Sequence, residues 1–245
     1  NNLSRIIVFI GRLSVALGVI VSLITVSTGI GSKKAIKERM ADFSGHISIR
    51  SKQSNNSYNS SILNTDGFQL NKIKALPEVA STQSYVSVSG ILRNEHNFAG
   101  IIFKGIGKDF DAERFQKFII EGTVPKVTEV GFNNGICISD KIAKDLHLKV
   151  KDSIVAIFSK ESQKPLYRNF EVVGIYKTDI KMIDDLFIIG GIKQKKKIQG
   201  MKDSEIGGTD VYLKNINKID DAAPYIDQLS GYKNYTVKAT EEYPQ

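Results

Sequence analysis

Twenty consecutive residues, Leu13 to Ser32, carry no charge, and the apolar run Ile6 to Ile10 extends this stretch upstream with Arg12 as the only charge between. A helix of that length covers about 30 Å, the hydrocarbon thickness of a bilayer. Arg12 lies near one end, where its guanidinium reaches the headgroups. The run is too long for the apolar part of a cleaved signal peptide, and the continuation Lys33 to Arg39 offers no small-residue cleavage site. The pattern therefore predicts a transmembrane helix in preference to a buried core helix. From Lys33 to Phe43 the helical character persists, with Ala35, Ile36, Met40 and Phe43 at mixed three- and four-residue spacings. Residues 1–44 thus read as a transmembrane helix and a stalk. Ser14, Gly18 and Ser22 fall four residues apart on one face, a spacing of small residues that lets a second helix approach closely in lipid.

Beyond the stalk the period changes. Gly45 to Arg50 alternates apolar and polar residues, a strand signal, and a polar run of Ser, Asn and Gln from Gln53 to Asn64 reads as a loop. Phe68 to Leu76 is a short helix stopped by Pro77, followed by strands over Val79 to Arg93 and Ala99 to Ile106. The end of the chain repeats this order: a strand over Gly208 to Leu213, a helix from Asn217 to Leu229 with Ile219, Ala222, Ala223 and Ile226 on one side, and a strand over Tyr235 to Ala239. Two β-α-β units of this kind close a split, ferredoxin-like sandwich. The middle has strands at Ile136 to Ile138, Ser153 to Phe158 and Arg168 to Tyr176, a helix capped by Ser139, and the apolar run Leu186 to Ile189 after Asp184 and Asp185. It reads as a mainly-β insertion. The expectation is an α+β protein with residues 45–110 and 204–245 as two halves of one subdomain and 111–203 inserted between them.

Charge changes this picture little. The net charge of +8 is spread along the chain without interleaved aromatic residues, so no nucleic-acid surface is expected, and anionic headgroups suit a tethered basic domain better. More cations follow the span (Lys33, Lys34, Lys37, Arg39) than precede it (Arg5, Arg12), which taken alone places the body in the cytoplasm. The single cysteine, Cys137, sits in an apolar run and reads as a small buried hydrophobe. The three histidines, His46, His96 and His147, are far apart; no nucleophile elbow occurs, and the glycines of Gly29 to Lys34 lack phosphate-loop spacing. No enzymatic activity, cofactor or metal is expected. The chain opens on Asn1 and closes on Gln245, and reads as part of a longer protein.

Several blocks, in order, resemble permeases of the lipoprotein-releasing LolC/LolE type: Ser14 to Gly18, the run to Phe43-Ser44-Gly45-His46-Ile47-Ser48-Ile49, Ile138 to Leu146, Leu148 to Ile154, Phe170 to Tyr176, and Glu241 to Gln245. Relatives of that family are the MacB efflux permeases and the division protein FtsX. The resemblance implies a subunit of an ABC transporter in the inner membrane, with a Porter-like subdomain, an inserted Sabre-like subdomain and the body in the periplasm. It also implies a separate cytoplasmic ATPase, a second permease subunit, lipoprotein cargo and a periplasmic carrier as partners. One departure is visible. LolC-type subunits carry a long carrier-docking hairpin between the strands matching Ser153–Phe158 and Arg168–Tyr176, and here only Ser159 to Tyr167 connects them. The stalk cations Lys33, Lys34, Lys37 and Arg39 and the tip residues Lys160, Lys164, Tyr167 and Arg168 are the candidate functional surfaces. Competing readings are a MacB-like exporter and a single-span sensor or scaffold without transport.

Overall fold

The computed structural model describes residues 2–52, 59–63, 67–95, 97–127, 134–158, 165–191, 205–231 and 233–238. It divides into two units, residues 1–38 and 39–245.

The first unit is most of helix α1 (Asn2–Ser44). Its large apolar side chains from Ile6 to Ile30 are all exposed, so this is not the core helix of a soluble domain. Among the described residues α1 is the one helix long and apolar enough to cross a membrane. Two hydroxyls on it, Ser22 and Thr25, donate back to the carbonyls of Gly18 and Val21 at 2.9 Å, the usual way such groups are satisfied in an apolar medium.

The second unit is the body, and it begins inside the helix rather than after it. Its strands are β1 (Ile47–Ser51), β2 (Val79–Arg93), β3 (Phe98–Ile106), β4 (Ile119–Gly122), β5 (Gly135–Ser139), β6 (Ser153–Phe158), β7 (Leu166–Tyr176), β8 (Phe187–Gly191), β9 (Gly208–Leu213) and β10 (Asn234–Lys238). Its helices are α2 (Leu70–Lys74), α3 (Ala112–Gln116), α4 (Asp140–Asp145), α5 (Lys181–Leu186) and α6 (Ile219–Ser230), the last preceded by a 3₁₀ turn, Ile216–Lys218. The class is α+β.

All ten strands join one mixed sheet in the order β10-β1-β9-β2-β3-β8-β5-β7-β4, with β6 bridging β2 and β7. The first four strands form the ferredoxin-like arrangement, in which the outer strand of each β-α-β unit is placed beside the inner strand of the other. Every neighbouring pair among them is antiparallel. Helices α2 and α6 cover one face: Ile73 from α2 and Ile219, Ala222, Ala223 and Ile226 from α6 pack on Ile47, Ile49, Val211 and Leu213. Those four α6 positions recur at three- and four-residue intervals, which gives the helix one apolar stripe to bury.

The inserted residues prolong the same sheet instead of forming a detached layer. Strand β2 is long enough to pair with β9 over Val79–Tyr85 and with β6 over Gly90–Arg93, and β3 pairs in parallel with β8. Around Phe103, Phe158 and Phe170 lies the core of this half, joined by Ile138, Ile142 and Val172. Ser139 caps α4 as its side chain accepts from the Ile142 amide at 3.0 Å. Three elements here leave no mark in the sequence pattern: α3, β4 and α5. Asp184 and Asp185, expected on the approach to a strand, sit on α5 instead.

Cys137 is fully buried, its thiol 3.3 Å from the Thr123 carbonyl and pushed up to about 12 by burial. It behaves as a small hydrophobe and is chemically inert.

Candidate functional site at the end of the first helix

The last six residues of α1, Arg39 to Ser44, belong to the body. Met40, Ala41, Phe43 and Ser44 are buried. Phe43 stands edge-on to Phe187 at 5.4 Å between ring centroids and lies 6.2 Å from Tyr176 and 6.3 Å from Phe115. Tyr176 is itself fixed, donating from its hydroxyl to the Phe187 carbonyl at 2.7 Å. Met40 and Phe43 therefore plug into a core built from α3, β3, β7, α5 and β8.

A helix end leaves carbonyls without partners, and burying them requires donors from elsewhere. Ser44 donates to the Met40 carbonyl at 2.9 Å. The Phe43 carbonyl accepts from the Nζ of Lys104, on β3, at 3.1 Å. There is no basic residue in the last turn of α1, so the cation that complements the negative end of the helix dipole comes from the sheet. Lys104 is only 8% exposed and pairs with Asp210 of β9 at 2.8 Å. Its ammonium also lies about 5 Å above the rings of Phe43 (5.1 Å) and Tyr85 (5.0 Å), at cation–π distance. The other oxygen of Asp210 accepts from Ser48 at 3.0 Å; Ser48 and the Tyr85 hydroxyl share a hydrogen bond of 3.0 Å, and Arg50 donates to that hydroxyl at 3.1 Å. A chain of hydrogen bonds thus runs from the helix end across four strands.

Gly45 makes the turn from helix to strand. Its φ is +79°, in the left-handed region where glycine carries no Cβ penalty, and an added Cβ would lie 2.8 Å from the Asp210 Cβ and 3.2 Å from the Val211 nitrogen. Gly45→Ala is expected to cost about 2–3 kcal/mol, from the left-handed backbone and the forced shift of β9. Urea unfolding would read this as a lower midpoint at unchanged slope.

Exposed ion pairs rim the joint. Arg39 donates to the Thr178 carbonyl at 3.1 Å and pairs with Asp179, which Lys177 also approaches at 2.7 Å; Asp42 pairs with Lys117. Lys177 and Arg39 hold the Asp179 carboxyl below its usual range. Behind them, Asp184 accepts from the Thr178 amide and hydroxyl and from the Asp179 amide at 2.8–3.3 Å, ordering the loop that receives Arg39. Burial holds the Asp184 carboxyl above its usual range, with these hydrogen bonds offsetting part of the rise.

The structure divides the candidate residues of the sequence into separate places. Arg39, grouped with the stalk, is part of the body, whereas Lys33 and Lys34 are exposed and Lys37 half-buried in the first unit, with Lys34 3.9 Å from Glu38. Ser14, Gly18 and Ser22 are exposed, and a Cβ at Gly18 meets nothing within 4 Å. Lys160 and Lys164 lie outside the described residues, as do 53–58, 64–66 and the block 239–245. Tyr167 is 60% exposed and Arg168 half-buried. As neighbours on β7 they point to opposite faces and do not form one surface. Tyr167 instead lines up across β6 and β2 with Ile157 and Ile91, beside Phe98, which is 77% exposed. Among the described residues no group of three or more His, Cys, Asp and Glu is placed to hold a metal ion.

Lys104 and Asp210, which complete the joint, were missed in the sequence. One signal was available: Lys104 interrupts an apolar strand, Ile101-Ile102-Phe103-Lys104-Gly105-Ile106, where a lysine has to be paired if it is buried.

Residues 12–229 match the family described as MacB-like periplasmic core domain. The chain belongs to that family. The periplasmic region of MacB from Actinobacillus actinomycetemcomitans is similar in fold, at 17% identity over 83% of this chain and 94% of that one, with a TM-score of 0.50. The extracellular domain of the ABC-type transporter YknZ from Gram-positive bacteria aligns at 15% identity over 78% of this chain and 99% of that one, with a TM-score of 0.49. No curated relative matches the sequence.

The MacB-like chain is thus the periplasmic core of an ABC-transporter permease of the MacB/FtsX type, with an ABC ATPase as partner and a membrane as its setting. This overturns the cytoplasmic placement that the flanking cations suggested. The positive-inside count weakens when a long domain follows the span, because such domains translocate largely regardless of charge.

Proposed function

We propose that this MacB-like chain transmits movement from a separate cytoplasmic ATPase, through α1, to a periplasmic body that extracts lipoproteins from the inner membrane. The observation that carries the transmission is the joint: Phe43 plugged into an aromatic core and its carbonyl held by a buried lysine. Held in this way, Arg39 to Ser44 move with the sheet. The lipoprotein cargo is supported by the ordered blocks resembling LolC/LolE permeases. In this reading the chain performs no catalysis of its own, binds no cofactor, and works beside a second permease subunit.

The test is deletion of the full-length gene, followed by lipoprotein localisation in separated inner and outer membranes. Accumulation in the inner membrane is expected; unchanged sorting refutes the cargo assignment and leaves the permease assignment standing. A MacB-like exporter is the second reading. It is favoured by the family match itself and by the short connection between β6, ending at Phe158, and β7, starting at Leu166, where a carrier-docking hairpin has no room.

In either reading, the apolar row Ile91, Ile157 and Tyr167 with Phe98 is the cargo-facing surface of the body. Replacing Ile91, Phe98 and Tyr167 together by serine is expected to leave thermal stability nearly unchanged, since surface changes of this kind stay within about 0.5 kcal/mol each. Transport in cells is expected to fall. A large drop in Tm, or full transport, would count against this surface.

A further inference from the structure

The residue after the Gly45 turn is His46, and it grips β9 twice. Its backbone amide donates to the Val211 carbonyl at 2.9 Å, and its Nδ1 accepts from the Leu213 amide at 2.9 Å. The imidazole thus stands in for a backbone carbonyl at the point where the chain has turned away into α1. Leu213 is only 4% exposed, so its amide has no ready alternative in water. The ring also stands edge-on to Tyr212 at 6.1 Å.

Nδ1 accepts only while the imidazole is neutral; protonated, both ring nitrogens are donors and the two N–H groups oppose one another. The charged groups that face the ring are Asp42 on α1, itself paired with Lys117, and Arg114, the residue of α3 stacked 3.9 Å over Tyr212. We propose that protonation of His46 unseats the start of β1 from Leu213 of β9 and draws the ring toward Asp42, making the helix joint a catch that acid loosens. Burial holds the imidazole below its ordinary value of 6.5, with Asp42 raising it and Arg114 lowering it. The sign follows from that direction: the seating is complete above the ordinary value and is lost as pH falls through the depressed one. A body in the periplasm meets the pH of its surroundings, so the catch responds to a variable the cytoplasm does not set.

Amide hydrogen exchange on the full chain in detergent micelles tests this, read as protection factors to remove the intrinsic pH dependence of exchange. Between about pH 7.5 and about pH 5, protection at Leu213 and His46 is expected to fall about tenfold or more, while that at Tyr176 holds. The variant His46→Gln keeps an oxygen acceptor that does not titrate, and its Leu213 protection is expected to stay flat across the range. Unchanged protection at Leu213 in the unaltered chain, a parallel fall in His46→Gln, or an equal fall at Tyr176 would each overturn the local catch. This inference does not depend on the cargo, and it stands or falls independently of lipoprotein sorting.

Discussion

Replacing Phe43 by alanine is expected to lower the stability of the body by about 3–5 kcal/mol, the cost of emptying a large aromatic site in a close-packed core. The side chain is 4% exposed and touches rings from three other elements, none of which can collapse into the space without dragging its strand or helix. Chemical denaturation gives the size. The functional meaning comes from a comparison with Phe115→Ala, which empties a neighbouring part of the same cluster at 3% exposure but is not on α1. Both variants are expected to lose stability. Only Phe43→Ala is expected to leave ATP hydrolysis running in the reconstituted transporter while transport per ATP falls several-fold, because it alone removes the plug by which the helix holds the sheet. Equal coupling in the two variants would mean that the joint is a structural feature and not the transmission point.

The second large effect concerns Lys104 and Asp210. Breaking a buried pair by removing one member leaves the other charge unpaired in an apolar setting, at a cost of about 3–5 kcal/mol, whereas replacing both by well-packed apolar residues is often neutral. Lys104→Met and Asp210→Leu are therefore each expected to destabilise by that amount. The double variant is expected to recover most of the loss, short of the hydrogen bonds that Phe43 and Ser48 would forfeit. A double-mutant cycle by urea unfolding reads the coupling directly. If the single losses simply add, the ammonium and carboxylate are not acting on each other, and the account of Lys104 as the cap of α1 fails. Should the double variant be stable yet transport poorly, the pair is kept for holding the helix end and not for stability.

Much of the fold follows from local pattern. Strand β1, the long strand β2, α4 with its Ser139 cap and the stripe of α6 each declare themselves within a single short segment, because period and capping are properties of neighbours along the chain. The short helices α3 and α5 did not; α5, unlike α4, begins without a side-chain cap to announce it. Asp184 and Asp185 do precede the apolar run of β8, but an acidic pair there looks alike whether it ends a helix or enters a strand.

The sequence by itself determined the long apolar helix and the two β-α-β units, for these rest on spacing alone. Tertiary structure decided which residues matter at the helix end. Arg39 meets Asp179, Lys104 meets Asp210 and His46 meets Leu213, partners separated by more than a hundred residues. Nothing in the vicinity of any one of them along the chain marks its counterpart. The pairing exists because the sheet brings β3, β9 and the end of α1 to one point, where a buried carbonyl and a buried charge must each find a partner.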